Sequence, residues 1–486
     1  MLTIDFETYW DKDFSLSKMT TESYIRDPQF EVIGVSIKKD DGPIEWVSGD
    51  DQTIKQALLE RGAQNDVCVA HNAAFDMAIM NWRYGIRPRV IVDTLSMARP
   101  ITGLTVGVSL RALVEYFGIG EKGTEVYNTQ GKHRKDFTPE ELERYGRYCQ
   151  QDVNLTYQLL QKLLPLSTAQ EMYLIDLTIR MFTEPVLQLN AELLETHLEK
   201  VRAGKQALLD SVSHGDRSAF MSNDKFAELL RAEGVEPPTK VSEKTGKTAY
   251  AFAKTDAGFQ ALLSHPNERV QALASARLGL KSTLEETRTQ AFLDIARRGP
   301  MPIGLKYYGA VNTGRMSGFD GNPQNLPRGG ALRDAICPPE GYTLVACDSS
   351  QIEARTLAWF AGQTDLVKAF ANGEDIYSKF ASSVYGKPIN KHEHPEERHV
   401  GKTCILGLGF GTGAVKLKHA LANGFIKVDL PQSECDRIVK LYRSQYDAIP
   451  RLWKACQTAI DNMYNGYDTT VGVGVALHVS GSDHTI

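Results

Sequence analysis

The chain begins with a stretch in which apolar and acidic residues alternate, Met1-Leu2-Thr3-Ile4-Asp5-Phe6-Glu7. A period of two predicts a β-strand, because successive side chains of a strand point to opposite faces of the sheet. The carboxylates of Asp5 and Glu7 therefore share one face of this strand. Such a pair is more often a solvated surface than a site, so it gains meaning only from acidic partners elsewhere in the chain.

Further strands and helices are predicted after this strand. Short β-rich runs at 32–37 and 44–47 are separated by a polar, hairpin-like turn. The later elements are a helix near 53–61, a strand at 67–70, a helix from about 74, a strand at 90–92, and helices near 108–118 and 138–164. Strands followed by α/β alternation indicate a mixed sheet flanked by helices over residues 1–165.

The rest of the chain divides into a helical middle and a mixed C-terminal part. Residues 166–300 carry long stretches at helical spacing, interrupted at 234–248 by a Pro-, Lys- and Gly-rich segment that predicts an exposed loop. Residues 301–486 mix strand, turn and helix signals, and a β-type run at 343–347 leads into Asp348. The predicted fold class is thus α/β and α+β, with several domains.

The composition is that of a folded protein. Its 486 residues are enough for about three domains. Apolar residues make up 42% and charged residues 24%, which argues against a disordered, collagen-like or membrane-embedded chain. Lys and Arg number 55 against 60 Asp and Glu, so a DNA-binding surface would have to be local. Residues 271–335 have a local excess of positive charge, with nine basic and five acidic side chains.

Nothing in the sequence argues for export or for a membrane. The first residues carry acids where a signal peptide needs basic and then apolar residues, and no later stretch has the length of an apolar membrane span. The seven cysteines are scattered and include no C-x-x-C pair, which argues against a disulfide framework or a zinc site. We therefore expect a cytoplasmic protein.

Two later segments supply acidic partners for Asp5 and Glu7. Asp76 follows the strand predicted at 67–70, and Tyr148 and Asp152 lie four residues apart on one face of a predicted helix. Four carboxylates without a matching cluster of Lys or Arg would repel one another, and their hard oxygen atoms suit Mg²⁺ or Mn²⁺. Two such ions can activate water for phosphodiester hydrolysis. Tyr148 is predicted to orient that water.

These residues resemble the DEDDy class of 3′-5′ exonucleases. The D-x-E, N-x-x-F-D and Y-x-x-x-D motifs of that class match the following residues: Asp5 and Glu7; Asn72, Phe75 and Asp76; Tyr148 and Asp152. The resemblance implies a ribonuclease-H-like fold and proofreading hydrolysis of a single-stranded 3′ end, with Asn72 and Phe75 binding the substrate. Asp93, at the end of a predicted strand, is interpreted as a cap or turn residue rather than a further site acid.

The string that begins at Asp348, Asp-Ser-Ser-Gln-Ile-Glu-Ala-Arg, resembles motif A of the family A (DNA polymerase I type) polymerases, D-Y-S-Q-I-E-L-R. The resemblance implies that Asp348 and the backbone carbonyl of Ser349 bind the catalytic metals. It also implies that Gln351 contacts the substrate and that Glu353 crowds the 2′ position of the sugar. Ser349 replaces the aromatic residue that usually follows the metal-binding Asp.

Two other strings resemble the same family. Residues 313–317 and 322–327 are similar to T-G-R-L-S and N-L-Q-N-I-P, which implies that Arg315, Gln324 and Asn325 contact primer and template. Arg398 and Lys402 match the R-x-x-x-K of motif B, whose cationic pair would hold the incoming triphosphate.

The substrate-binding residues include several departures from the usual family pattern. Leu406 stands where many members have an aromatic residue near the sugar, and Phe410 replaces a tyrosine beside the nascent base pair. Tyr377 stands where a histidine often contacts phosphate. Such variations resemble phage-encoded branches of the family.

The family's second polymerase carboxylate lies in a His-Asp-Glu turn, motif C, and the sequence contains no His-Asp-Glu. The nearest candidate is Asp483, in a string whose order differs from the motif. We therefore expect a palm that lacks its C-terminal segment, either because a companion chain supplies it or because the chain is a fragment of a longer polymerase.

The resemblance thus implies a DNA polymerase with proofreading that acts on primer-template DNA and dNTPs. It also implies two Mg²⁺ or Mn²⁺ ions in each active site. The predicted parts of the chain are an exonuclease domain (1–165), a helical thumb-like region (166–300), and a partial palm and fingers (301–486). One alternative is an exonuclease whose polymerase-like half binds DNA without synthesis.

A second alternative is a dinucleotide-binding oxidoreductase. Gly409, Gly411 and Ala414 fit the G-x-G-x-x-A fingerprint, and Asp429 follows at the required distance. That reading needs a strand at 403–408, whereas Arg398 and Lys402 lie at helical spacing.

Overall fold

The computed structural model describes residues 1–486 except 124–128, 213–216, 242–245, 255, 425, 468, 472–476 and 480–486. The chain forms two units, Met1–Leu344 and Val345–Ile486. The domain boundaries predicted after residues 165 and 300 both fall inside the first unit, and they stay predictions.

A five-stranded mixed sheet underlies the N-terminal part of the first unit, which confirms the predicted arrangement. Its strands are β1 (Leu2–Thr8), β2 (Val32–Lys39), β3 (Ile44–Val47), β4 (Val67–Ala70) and β5 (Val90–Asp93). In space their order is β3-β2-β1-β4-β5. Strand β2 runs antiparallel to β1 and β3, and β4 runs parallel to β1 and β5.

Helices pack around this sheet. They are α1 (Thr21–Arg26), α2 (Asp51–Glu60), α3 (Ala73–Tyr84), α4 (Thr94–Thr102), α5 (Leu110–Phe117) and α6 (Pro139–Leu163). The start of α6 is fixed by Pro139 in its first turn and by a capping box between Thr138 and Glu141. Helix α6 packs against β1, β2 and β3. Its side chains contact those of Asp5 and Glu7, so it covers the face of β1 opposite Ile4 and Phe6.

The rest of the first unit is largely helical over residues 166–300, as predicted, and mixes strand and helix after them. Its helices are α7 (Ala169–Thr183), α8 (Ala191–Ser211), α9 (Arg217–Met221), α10 (Asn223–Ala232), α11 (Ala257–Leu263), α12 (Glu268–Lys281), α13 (Leu284–Arg298) and α14 (Ala331–Asp334). Its short strands are β6 (Gln188–Leu189), β7 (Thr239–Val241), β8 (Thr248–Tyr250), β9 (Leu305–Ala310), β10 (Arg315–Gly318) and β11 (Ile336–Cys337).

Two sequence predictions for residues 234–347 were wrong. The segment 234–248 is not wholly a loop, because β7 pairs antiparallel with β8 and both strands contain β-branched residues. The run at 343–347 does not form a strand, and Leu344 and Val345 are 55% and 82% exposed. A strand needs a neighbouring strand for its backbone hydrogen bonds, and none of the described strands pairs with this run.

The second unit is built mainly from helices. They are α15 (Ile352–Ala361), α16 (Thr364–Ala371), α17 (Ile376–Tyr385), α18 (Pro395–Gly409), α19 (Ala414–Ala422), α20 (Gln432–Gln445) and α21 (Ala448–Tyr464), and two strands, β12 (Thr469–Val471) and β13 (Leu477–Val479), follow them. Buried apolar side chains of α15–α18 share one core with α19–α21. Among the described residues of the whole chain, no helix combines the length and the apolar character needed to cross a membrane.

The dinucleotide-binding alternative was wrong about local structure. Residues 403–408 lie inside α18, and the glycine-rich segment joins α18 to α19 instead of following a strand. A Rossmann fingerprint requires the strand–turn–helix geometry that places a pyrophosphate at a helix N-terminus. In this structure the glycine-rich segment lies between two helices, so it lacks the geometry of a dinucleotide-binding fingerprint.

Candidate functional site

The structure brings together four carboxylates from three elements, which we call the acidic cluster: Asp5 and Glu7 on β1, Asp76 on α3 and Asp152 on α6. The backbone N–H of Phe6 donates a hydrogen bond to Asp76 Oδ1 at 3.1 Å and so ties α3 to β1. Glu7, Asp76 and Asp152 are buried, and Asp5 is partly exposed. The cluster thus lies between the sheet and two helices, and Asp5 is its least buried member.

Crowding of these acids disfavours their ionised forms. Burial, followed by the charge of Asp152, raises the pKa of Asp5 to about 7. Burial and then the charge of Asp5 raise the pKa of Glu7 well above its ordinary value, and the same two causes raise the pKa of Asp76. Bound cations would remove this penalty, because opposite charge nearby favours ionised carboxylates.

The ligand atoms of the acidic cluster suit a hard divalent cation. Carboxylate oxygen atoms of Asp5 and Glu7 and the sulfur of Cys149 all lie within 4.8 Å of one another. Oxygen ligands of this kind are those that Mg²⁺ and Mn²⁺ prefer. The buried and mutually repelling oxygen atoms therefore fit the metal ions that the sequence predicts here.

Lys122 contacts this cluster and was missed by sequence reasoning. Its Nζ donates a hydrogen bond to Asp152 Oδ2 and lies 5.2 Å from the centre of the Tyr148 ring. Lys122 belongs to no motif and follows α5 in a stretch without regular periodicity, so no sequence signal marks it. An ammonium group thus neutralises part of the charge of the cluster.

Two other residues of α6 were also missed. The Tyr145 hydroxyl donates a hydrogen bond to Glu7 Oε2 at 2.5 Å, and the Cys149 thiol donates to the Asp5 carbonyl oxygen at 3.3 Å. Together with Tyr148 and Asp152 they lie at helical spacings of three and four along α6. That spacing was the available signal, because it places all four side chains toward β1.

Asn72 and Phe75 come just before Asp76 in the chain. They line a cavity of about 190 Å³ to which none of the four acids contributes. Asn72 precedes α3 in a left-handed conformation and makes no side-chain capping bond. Asp93 caps α4 by accepting hydrogen bonds from the N–H groups of Leu95 and Ser96, which confirms its interpretation as a cap. Asp93 also accepts from the N–H of Asn72 at 2.8 Å, so it fixes the turn that leads into α3.

A second cavity, of about 310 Å³, opens next to Tyr148. Its lining includes three cations, Lys122, Arg144 and Arg147, and one acid, Glu121. Arg144 and Arg147 lie on the turn of α6 just before Tyr148, so basic residues border the acidic cluster. An anionic group held in this cavity would lie next to Tyr148.

The residues of motif A lie at the start of the second unit. Asp348 and Ser349 are exposed in the irregular segment before α15, instead of following the strand predicted at 343–347. Gln351 precedes α15 in a left-handed conformation, with φ of 57°, and Glu353 lies in the first turn of that helix. The structure thus leaves Asp348 outside regular secondary structure.

The predicted triphosphate-binding residues lie along α18. Arg398, Lys402 and Leu406 are four residues apart, and Phe410 follows the helix with 72% of its surface exposed. The Arg398 guanidinium donates to both carboxylate oxygens of Asp375, at 2.7 and 3.2 Å, and stacks on Tyr377 at 5.3 Å. Asp375 was not assigned a role from the sequence. In the structure its carboxylate pairs with Arg398, the cation that is predicted to hold phosphate.

Gly401 allows α17 and α18 to pack closely beside this pair. A Cβ atom at Gly401 would collide with the carbonyl oxygen of Tyr377 and lie 3.0 Å from Ala381 Cβ. We expect Gly401→Ala to lower the free energy of unfolding by about 1–3 kcal/mol, because a backbone oxygen cannot move aside without separating the helices. Thermal unfolding measures this change as a fall of several degrees in Tm.

Gly407→Ala is the matched control on the same helix. A Cβ there would meet its nearest atom at 3.8 Å, so only the helix propensity changes and Tm should stay the same or rise. An equal change in Tm in the two variants would contradict close packing at Gly401.

The predicted primer-template contacts lie in the first unit. Arg315 begins β10, which pairs with β9, while Gln324 and Asn325 lie in the turn that follows β10. All three residues are exposed. Asp483, the substitute considered for motif C, lies outside the described residues.

Comparisons with known proteins match both halves of the chain. The family model of DNA polymerase family A matches residues 190–473, and a 3′-5′ exonuclease model matches residues 20–167. The DNA polymerase of Bacillus phage SP02 is 22% identical, over 94% of this chain and 76% of the phage protein. DNA polymerase I of Rhizobium leguminosarum is 25% identical, over 81% of this chain and 39% of its own length.

Two further matches involve a thermostable enzyme and a solved structure. The DNA polymerase I of Thermus aquaticus is 30% identical, over 48% of this chain and 27% of its own length. The POL domain of Pol1 from M. smegmatis, in complex with DNA primer-template and dNTP, shares the fold with a TM-score of 0.61 at 20% identity. That match covers 98% of this chain and 77% of the solved chain.

Proposed function

Because the chain belongs to DNA polymerase family A and contains a 3′-5′ exonuclease domain, we propose that the acidic cluster hydrolyses the terminal phosphodiester of single-stranded 3′ ends. The observation that carries this proposal is the convergence of Asp5, Glu7, Asp76 and Asp152 from β1, α3 and α6. In this proposal the four carboxylates hold two Mg²⁺ or Mn²⁺ ions, which when bound supply an activated water and stabilise the leaving oxygen.

The neighbours of the cluster position its ligands. The Phe6 N–H holds Asp76, and the Tyr145 hydroxyl holds Glu7, so each carboxylate keeps one orientation before a metal arrives. Burial, followed by the charges of Asp152 and Glu7, raises the pKa of Tyr148. Tyr148 therefore keeps its proton at neutral pH and acts through hydrogen bonds to water, not as a base.

The cavity beside Tyr148 supports a nucleic-acid substrate. Lys122, Arg144 and Arg147 line it, and together they would bind the phosphates of the strand that enters the site. These phosphate contacts carry no sequence information, which suits an enzyme that removes any terminal nucleotide.

Lys122 is proposed to compete with metal for Asp152. In Lys122→Met the ammonium that pairs with Asp152 is lost, so Mn²⁺ should bind about tenfold more tightly, because a positive charge beside the ions is removed. Electron paramagnetic resonance of free Mn²⁺ measures this affinity without any turnover. The variant should also unfold at lower temperature in EDTA, since the acids then lose their counterion.

Lys132→Met is the matched control, because Lys132 pairs with Glu141 at 2.7 Å outside the acidic cluster. Its Mn²⁺ affinity should equal that of the unchanged chain. Unaltered affinity in Lys122→Met would disprove the competition.

The polymerase half is proposed to bind primer-template DNA and dNTPs and to synthesise DNA by the same two-metal chemistry. Asp348 and the Ser349 carbonyl would bind metal, while Arg398, Lys402 and Tyr377 would bind the triphosphate. The nucleotide would be surrounded by Gln351, Glu353, Leu406 and Phe410. The DNA would be contacted by Arg315, Gln324 and Asn325. Arg398 can take up phosphate only by sharing or leaving Asp375, whose pKa it holds below the ordinary value against the effect of burial.

A second candidate is an exonuclease whose polymerase half binds DNA without synthesis. It is favoured by the position of Asp348, which is exposed in an irregular segment, and by the pairing of Arg398 with Asp375. Both Asp348 and Arg398 would have to change position or partner before nucleotidyl transfer.

One experiment separates the two candidates. A 5′-labelled primer annealed to a template is incubated with the chain and Mg²⁺, with and without all four dNTPs, and resolved on a denaturing gel. Extension that disappears in Asp348→Ala supports synthesis at the proposed site. Shortening without extension supports the second candidate, and a primer of unchanged length in every lane would refute the nuclease proposal.

A further inference from the structure

A cavity of about 530 Å³ lies in the helical region of the first unit, among α12, β8 and the start of α10. Its lining carries four cations, Lys240, Lys254, Arg277 and Lys281, and one acid, Asp256. Asp256 is already engaged, because it accepts a hydrogen bond from Lys240 Nζ at 2.7 Å. Three cations therefore remain without a carboxylate partner among the described residues.

Arg277 is the most buried of these cations, with 1% of its surface exposed. Its Nη1 donates to the carbonyl oxygens of Phe220 and Ser222, at 2.8 and 3.1 Å, while its Nε is buried without a hydrogen-bond partner. Burial lowers the pKa of Arg277 to about 10, so the group stays charged at neutral pH. Its Nη2 donates to Asn223 Oδ1, and its guanidinium lies 4.4 Å from the centre of the Phe226 ring and 4.8 Å from that of Phe252. These contacts supply no negative charge, so a bound anion would further stabilise the buried cation.

One side of the cavity is aromatic. The rings of Tyr250 and Phe252 are stacked with their centres 5.1 Å apart and an angle of 12° between their planes, and Phe259 lines the same cavity. Phe252 is buried and the Arg277 guanidinium lies over its ring at 4.8 Å, so the partly exposed Tyr250 is the ring that offers a flat surface for stacking. The volume lies within the range found for pockets that take small organic ligands.

We propose that this cavity is a nucleotide-binding site separate from both catalytic sites. The exposed Lys254 and Lys281, beside the buried charge of Arg277, hold a phosphate group, and the partly exposed ring of Tyr250 holds the base. The ligand is either a free mononucleotide or one nucleotide unit of single-stranded DNA, which present the same phosphate and ring. The proposal does not depend on nuclease or polymerase activity.

Isothermal titration calorimetry of the full chain in EDTA tests the site, since chelation prevents metal-dependent binding elsewhere. We expect saturable binding of dAMP and at least about tenfold weaker binding of deoxyadenosine, which lacks the phosphate. The double substitution Lys254→Gln and Lys281→Gln should weaken dAMP binding by about tenfold. Both lysines are exposed, so the variant should keep the Tm of the unchanged chain.

A charge-matched control replaces two exposed lysines outside the cavity, Lys162→Gln and Lys200→Gln. It should bind dAMP as the unchanged chain does. The proposal is overturned if dAMP gives no saturable heat, or if the two double variants bind it equally. A titration with a 5′-phosphorylated oligothymidylate against dTMP then identifies the source of the ligand: tighter binding of the oligonucleotide indicates a DNA strand, and equal binding indicates a free nucleotide.

Discussion

Replacing Asp5 by alanine should slow shortening of a single-stranded 3′ end by about three orders of magnitude or more. Asp5 is the partly exposed member of the acidic cluster, and its pKa responds to Asp152, so it lies where the ligands from β1 and α6 meet. Loss of several kcal/mol of charge stabilisation by the metals corresponds to such a factor, since 1.36 kcal/mol is tenfold in rate. Timed denaturing gels with a 5′-labelled oligonucleotide measure the rate.

The same variant should bind DNA as tightly as the unchanged chain, which fluorescence anisotropy can measure in Ca²⁺ or EDTA. Asp224→Ala removes an exposed acid from α10, away from the cluster, and should leave the rate unchanged. A rate within tenfold of normal in Asp5→Ala would show that the cluster is not the hydrolytic site.

Mg²⁺ should stabilise the folded chain, and by an amount that grows as the pH rises from 5 to 8. The pKa of Asp5 is about 7 in the folded protein against an ordinary value of 3.8, so the folded state holds this proton more tightly than the unfolded chain. Without metal, the free energy of unfolding therefore falls as the pH rises through this window. The loss from this carboxyl is roughly a few kcal/mol, and bound Mg²⁺ should recover it as a rise of about 5–10 °C in Tm.

The difference between Tm in Mg²⁺ and Tm in EDTA is the quantity to measure at each pH. Burial lowers the pKa of His71 to about 4, which destabilises the fold as the pH falls below 6.5, but this effect is common to both conditions. Asp5→Asn should reduce the pH dependence of the difference and should raise Tm in EDTA at pH 8. A difference that is independent of pH in the unchanged chain would argue against metal binding by these acids.

Local sequence patterns were enough to predict the elements that carry the acidic cluster. The alternation of Ile4 and Phe6 with Asp5 and Glu7 predicts β1, and the helix predicted near 138–164 corresponds to α6. Spacing then predicts which side chains share a face. These signals are local, because each depends on residues within one strand or one helical turn.

Features that depend on partners distant in sequence could not be predicted in this way. Lys122 contacts Asp152 across thirty residues, and the pairing of Arg398 with Asp375 spans twenty-three. The run at 343–347 has strand composition but no described strand beside it. Composition determines which conformations are favourable, whereas the neighbouring element decides which of them forms.

Helix α6 makes the proposed hydrolytic site intolerant of changes in chain length. Tyr145, Tyr148, Cys149 and Asp152 all follow the capping box at its start, so one inserted residue between Thr138 and Tyr145 would turn the four side chains together by about 100° and move them by about 1.5 Å. An insertion after Leu163 would leave them in place. Homologues that retain this nuclease should therefore vary in length beyond the end of α6 and keep its first two turns at constant length.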